Sequence, residues 1–261
     1  MVELLVWPAL LAYGEAAVAY AGDARRPGRL GLLGTWGVRV GWLAQTGLLI
    51  AQVAGAGGFP WGTWAASLNL FVWLVVSAYL IWGCKPRYRL LGLLVMPLAA
   101  LLLAVSYAAG GIGDSDDARY STVFLVAHVG LVLAGFAGFT LAAALAGLYL
   151  WQERLLKHRS RSILRFRVPP LARLDELAGR TVLVALPVLT LGMAAGFARV
   201  RDSSDLDLLI GLTLVTWLVY GAYLALRYRA GWRGRRAAYL LLVGFTLVIA
   251  LRLGLPATHF A

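Results

Sequence analysis

Eight long apolar stretches, separated by loops whose charge alternates, constrain this chain more than any other feature of its sequence. The stretches run near 3–21, 31–54, 63–83, 90–109, 121–150, 180–199, 207–227 and 237–257. A bilayer-spanning helix needs about 20 mostly apolar residues, and each run is of that order. The chain is 61% hydrophobic and only 14% charged, against about 45–50% and about 25% in ordinary soluble domains. A soluble fold of 261 residues could not hide that much apolar surface. The apolar runs are continuous and do not alternate, which selects helices over a β-barrel. The expected fold is all-α: a polytopic membrane helix bundle with about eight transmembrane helices. It forms one integral membrane domain over 1–261, and the basic connection at 151–179 is its only long polar loop.

The loop charges orient this bundle. Numbered in order, the odd loops and their helix ends carry Arg25, Arg26, Arg29, Lys85, Arg87, Arg89, Arg154, Lys157, Arg159, Arg161, Arg165, Arg167, Arg173, Arg180, Arg227, Arg229, Arg233, Arg235 and Arg236, nineteen of the 24 basic residues. The even loops carry Asp114, Asp116, Asp117, Asp202, Asp205 and Asp207. The positive-inside rule then places the odd loops in the cytoplasm and both termini outside. The start of the chain carries Glu3 and no basic run, so the first stretch reads as a retained helix rather than a cleaved signal. The net charge of +12 is topogenic and meets anionic lipid; nucleic acid is not an expected partner. Within the fifth loop, Pro169-Pro170 is followed by Leu171, Leu174 and Leu177 on one helical face. The spacing predicts a short amphipathic helix on the cytoplasmic surface.

The chemical inventory is sparse. One cysteine, Cys84, excludes an internal disulfide framework. The chain carries no phosphate-binding glycine loop, GxSxG, HExxH or carboxylate pair placed for acid–base work. It reads as a binder or conduit, not as an enzyme, with no catalytic residue to name. Gly135, Gly138, Gly192 and Gly196 read as points where helices approach closely. Ionisable residues inside the apolar runs carry more information, because lipid makes them costly. Glu15 and Arg39 lie on neighbouring antiparallel stretches and are expected to pair. Arg252 lies about five residues from the outer end of the last stretch, where it either snorkels outward or holds a carboxylate bidentately. His158 falls in a basic loop and reads as solvated. His128 and His259 fall on the same, outer side. On the residues alone, packed core histidines and axial ligands to a haem iron are both open, and packing is the commoner outcome. Trp42, Trp73 and Trp217 are deep and read mainly as core, with a flat-cofactor cavity as the alternative.

Several segments, taken in order, resemble the CcsA/HemX-type cytochrome c assembly family. They are Ala44-Gln45-Thr46, Gly58-Phe59-Pro60, Ala127-His128, Leu148 to Lys157, Leu171 to Leu177 and Leu189-Thr190-Leu191-Gly192 with Gly196. Trp217 to Tyr220, Gly231 to Ala238, Gly244-Phe245 and His259-Phe260 follow. The resemblance runs from about the second stretch to the end. It implies a haem-handling membrane protein of cytochrome c biogenesis in a bacterial cytoplasmic (inner) membrane, with haem (b-type, non-covalent) in the outer half of the bundle. His128 and His259 would then be the iron ligands, and Gln45 would stand where the family has a histidine. By charge and depth, and not by any motif of the family, Arg252 with Arg199 or Arg119 would face the propionates. The family's transport branch carries a Trp-rich outer motif where this chain reads Arg201-Asp-Ser-Ser-Asp-Leu-Asp207. That absence brings the chain nearer the short HemX-like branch, which implies a membrane regulator or scaffold of a haem-biosynthesis enzyme as the alternative. The implied partners are haem, other cytochrome c assembly membrane proteins or such an enzyme, and anionic lipid. A small-molecule transporter would call for inverted repeats with broken helices; no repeat is evident, and Pro97 and Pro187 are the only deep prolines.

Overall fold

A computed structural model describes residues 2–25, 28–55, 60–83, 88–111, 122–158, 169–197 and 208–253. A 3-10 turn (Val2–Leu5) is followed by eight α-helices: α1 (Val6–Arg25), α2 (Arg29–Gly55), α3 (Trp64–Gly83), α4 (Arg89–Ala108), α5 (Thr122–Lys157), α6 (Leu171–Phe197), α7 (Leu208–Arg229) and α8 (Arg235–Leu253). The eight apolar stretches therefore become eight helices in the expected order. Five of them, α3 to α7, contain segments long and apolar enough to cross a membrane by length and composition. The chain is an all-helical, multi-pass membrane bundle. At about 1.5 Å per residue, the 36 residues of α5 span about 54 Å, well beyond a hydrocarbon core of about 30 Å.

The helices pack as two groups. The first joins α1 to α2 and α4, and α3 to α4. The second joins α5 to α6 and α8, and α7 to both α6 and α8. The long α5 ties them together by also packing on α3 and α4. Contacts near the helix ends sort the loops into two sets. Asp23 in the last turn of α1 lies 3.9 Å from Arg89 at the start of α4, and Asp175 near the start of α6 binds Arg227 near the end of α7. At the opposite end, Gln52 near the end of α2 donates to the Gly111 carbonyl after α4. The helix ends that flank the odd connections thus meet at one end of the bundle and those that flank the even connections at the other, as the alternating charge requires.

Small residues set the closest approaches. A Cβ on Gly34 would lie 2.9 Å from the Tyr20 ring, one on Gly37 3.1 Å from the Ala12 carbonyl oxygen, and one on Gly41 2.6 Å from the Tyr13 ring. These glycines, spaced three and four apart, form a bare stripe on α2 that receives the buried Tyr13, Ala16 and Tyr20 stripe of α1. The same device joins α5 to α6, and here the sequence expectation holds. A Cβ on Gly135 would meet Leu189 at 2.8 Å, on Gly138 Ala185 at 2.6 Å and on Gly192 the Val132 backbone nitrogen at 2.8 Å. A Gly192→Leu variant is expected to lose about 1–3 kcal/mol through overpacking, read as a lower unfolding temperature in detergent. An unchanged temperature would mean that the two helices separate freely there.

Two sequence expectations are corrected. Leu171–Leu177 is not a separate surface helix; it is the first part of α6, which runs unbroken to Phe197. The Pro170 carbonyl accepts the Arg173 and Leu174 amides, so the helix starts directly after the proline pair. Leu174, Leu177, Val182, Ala185, Leu189 and Gly192 are buried at helical spacing. The leucine face that reads as amphipathic is the beginning of the stripe that packs on α5. The expected Glu15–Arg39 pair also does not form. Both residues are exposed, and the Arg39 guanidinium lies 5.1 Å from the ring centre of Trp36 one turn away.

Candidate functional site

His128 sits in the second turn of α5, where α6 leaves room for a ring. A Cβ on Gly196 would lie 2.5 Å from His128 Cε1, so only a glycine there lets the imidazole lie against the α6 backbone. One turn earlier on α6, the Gly192 carbonyl oxygen lies 2.7 Å from His128 Nδ1. A carbonyl can only accept, so Nδ1 carries the proton. In the neutral ring the lone pair then resides on Nε2. This is the arrangement that metal-ligating histidines use, one nitrogen donating to a backbone carbonyl and the other free of a proton. The Phe124 ring lies parallel to the imidazole at 6.0 Å between centres. His128 is 64 residues from Gly192, and it meets the two α6 glycines only because α5 and α6 are antiparallel.

Arg252 falls in the last turn of α8, a helix that packs on α5. The Gly234 position just before α8 lies against the Tyr149 hydroxyl near the other end of α5, so the two helices are antiparallel. The C-terminal part of α8 and the N-terminal part of α5 therefore share an end of the bundle, which brings the Arg252 position to the His128 end. His259, Arg119 and Arg199 lie outside the described residues. His158 is exposed after α5. Among the described residues no three His, Cys, Asp or Glu side chains cluster as a metal site.

Gln45 takes a place that its spacing did not reveal. It is 0% exposed and stands in a directional chain of hydrogen bonds across the first helix group. The Tyr13 hydroxyl donates to Gln45 Oε1 at 2.8 Å. Gln45 Nε2 donates to the Asn69 carbonyl at 3.0 Å and to Asn69 Oδ1 at 2.8 Å. Asn69 Nδ2 donates to Gln52 Oε1 at 2.9 Å, and Gln52 Nε2 ends the chain on the Gly111 carbonyl at 3.1 Å. Trp42 and Trp73 lie beside it and stack with centres 5.7 Å apart. Each indole donates across the α2–α3 boundary, Trp42 to Ser77 Oγ at 2.7 Å and Trp73 to Thr46 Oγ1 at 2.8 Å. The two tryptophans thus pack across that boundary. On α7, Trp217 donates to Thr190 Oγ1 of α6 at 2.9 Å.

At the basic end, Asp175 forms a second polar centre. Its carboxylate accepts from Arg227 Nη2 at 2.8 Å and Nη1 at 3.2 Å, and its carbonyl accepts from Nη2 at 3.0 Å. The Gly234 amide donates to Asp175 Oδ1 at 2.9 Å. Gly234 has φ of +68°, a left-handed conformation that glycine adopts without strain. A Cβ on Gly179 would collide with the Arg227 guanidinium. The single aspartate thus binds α6, α7 and the turn into α8. Sequence reasoning set it on the polar face of a surface helix; an acidic residue within the most basic loop was the available signal.

A family model described as Cytochrome C assembly protein matches residues 61–256, three quarters of the chain. The chain is similar to a cytochrome c biogenesis protein CcsA of Guillardia theta, 27% identical over 224 residues, covering 76% of this chain and 74% of that protein. It is also similar to a protein HemX of Brevibacillus brevis, 26% identical over 84% of this chain and 82% of that protein. A CcsA of Mesostigma viride is 25% identical over 94% of this chain and 88% of its own length. No solved structure matches the chain.

Proposed function

Because this chain belongs to the cytochrome c assembly protein family, whose work implies handling haem, we propose that it carries haem in the end of the bundle opposite its basic loops. The observation that supports this most is His128: the Gly192 carbonyl holds its Nδ1 proton and Gly196 makes room for its ring. The lone pair on Nε2 suits it to bind iron. His259 is the proposed second ligand. Arg252 is proposed to face a propionate, and the buried amide chain through Gln45 to brace the helices beside the cargo. In this reading all eight helices cross the membrane, both termini are extracytoplasmic, and the protein lies in a bacterial cytoplasmic membrane. It binds and positions haem and catalyses nothing.

Protein purified in detergent should show a Soret band or acquire one with added hemin. His128→Ala should weaken hemin binding at least about tenfold, the effect expected when a metal site loses a ligand or its support. Gly196→Val keeps the imidazole but displaces it, and should shift or weaken the same band. A colourless protein that takes up no hemin would overturn the reading.

The similarity to a HemX protein favours one further reading, a membrane regulator acting through the basic loop on a haem-pathway enzyme. Its test spares 151–157 and 169–179, which belong to the ends of α5 and α6 or their junction. Replacing Arg159, Arg161, Arg165 and Arg167 by glutamine should abolish capture of that enzyme and leave the hemin spectrum unchanged. Capture that survives would exclude the regulator.

A further inference from the structure

Glu15 and Arg39 pose a problem that the single chain does not solve. On α1 the exposed residues Trp7, Leu11, Glu15 and Val18 fall on one helical face, and on α2 Trp36, Arg39, Val40 and Leu43 do the same. Each face is apolar except for one charge in its middle. Glu15 lies ten residues before Arg25 and Arg39 ten residues after Arg29, so both stand about 15 Å from the basic end. Among the described residues neither forms an ion pair. A charge at such a depth is costly even on the mildest insertion scale. The stacking of Arg39 on Trp36 offsets part of that cost, and among the described residues Glu15 has no comparable contact.

We propose that the α1–α2 face is the interface between two copies of this chain, with Glu15 of each copy meeting Arg39 of the other. The two charges are opposite, each stands on the exposed apolar face of its own helix, and they share one depth. A two-fold axis along the membrane normal keeps every residue at its depth, so it brings Glu15 level with Arg39 twice, once on each side of the axis. A different protein would have to supply both complementary charges at that same level; a second copy carries them already. The glycine stripe of α2 holds α1 and α2 side by side, so both charges are presented from a rigid pair. This inference rests on α1 and α2 crossing the bilayer, as in the reading above.

The test uses the full chain in membranes, with Cys84→Ser as background. Two differently tagged copies are co-expressed, one with Glu15→Cys and the other with Arg39→Cys, and treated with a short bis-maleimide. The expected product is a dimer carrying both tags, while Leu214→Cys paired with Leu218→Cys on the exposed face of α7 gives none. Glu15→Gln or Arg39→Gln should each lower the dimer fraction at least about tenfold, and the exchanged pair Glu15→Arg with Arg39→Glu should restore it. No crosslink, or a crosslink to another protein alone, overturns the dimer. Separately, a membrane-impermeant thiol reagent should leave Glu15→Cys unlabelled in sealed vesicles. Strong labelling there would mean that α1 does not cross the bilayer, and the inference would fall with that reading.

Discussion

Asp175→Ala should cost about 3 kcal/mol of stability, one of the two largest losses expected from a single change in this chain. The side chains of Asp175 and Arg227 are only 13% and 9% exposed. Removing one partner of a buried pair leaves the other charge desolvated and uncompensated, which costs about 3–5 kcal/mol; the slight exposure argues for the lower end. The substitution also orphans the Gly234 amide. Asp175→Asn keeps an acceptor for that amide and should cost less than half as much. Replacing both partners, Asp175→Leu with Arg227→Leu, removes the uncompensated charge and should recover much of the loss. Unfolding temperature in detergent reads all three variants. A double variant as unstable as the sum of its two single variants would show that the residues act independently. By contrast, the more exposed pairs Arg173–Glu176 and Lys157–Glu153 should contribute no more than about 0.5 kcal/mol each.

Asp175 also marks where sequence reasoning reached its limit. Hydropathy, loop charge and small-residue spacing are local patterns, and they yielded the helix count, the sorting of loops to two ends and the α5–α6 glycine contacts. His128 stood out as a histidine inside an apolar run, but the glycines of α6 that receive its ring were not legible as its neighbours. What the patterns could not carry was partner choice across helices. Leu171–Leu177 looks interfacial because Arg173, Asp175 and Glu176 interrupt its apolar residues. Only packing shows that the leucines face α5 while the aspartate turns to Arg227 and Gly234. The acidic pair Asp175–Glu176 in a basic segment and the Gly231–Gly234 spacing were both visible, but 52 residues separate Asp175 from Arg227.

The reverse error was made with Glu15 and Arg39. Equal depth on adjacent antiparallel helices made a pair the natural expectation. Yet the glycine stripe of α2 at Gly34, Gly37 and Gly41 fixes which face of α2 meets α1. Arg39 is two residues from both Gly37 and Gly41, which at about 100° per residue turns it well away from that seam. Depth was legible and azimuth was not, until the small residues were placed.

Asn69→Leu should be comparably damaging, although it substitutes one uncharged residue for another with the same number and branching of heavy atoms. Asn69 is 0% exposed and is the only α3 side chain in the chain of hydrogen bonds from Tyr13 to Gly111. Through it, Gln45 and Gln52 of α2, seven residues and so two turns apart, are both tied to α3. Leucine removes the acceptor of one glutamine amide and the donor to the other carbonyl, leaving two buried polar groups short of partners. Each such orphan costs about 1–3 kcal/mol, and the Asn69 carbonyl still accepts from Gln45 Nε2, so the expected loss is about 3 kcal/mol. Tyr13→Phe cuts only the first link and should cost about 1 kcal/mol. Gln45→His, which restores the residue type found at this place in the resembled family, offers two ring nitrogens to a site that uses one acceptor and two donated bonds. It should therefore destabilise the bundle by about 1–2 kcal/mol while adding a nitrogen ligand next to α3. If Gln45→His instead raised both stability and hemin affinity, this position would be part of the cargo site and the amide chain would be its substitute. If stability falls and the hemin spectrum is unchanged, Gln45 belongs to the brace, and the ligands lie at the α5–α6 end with His128.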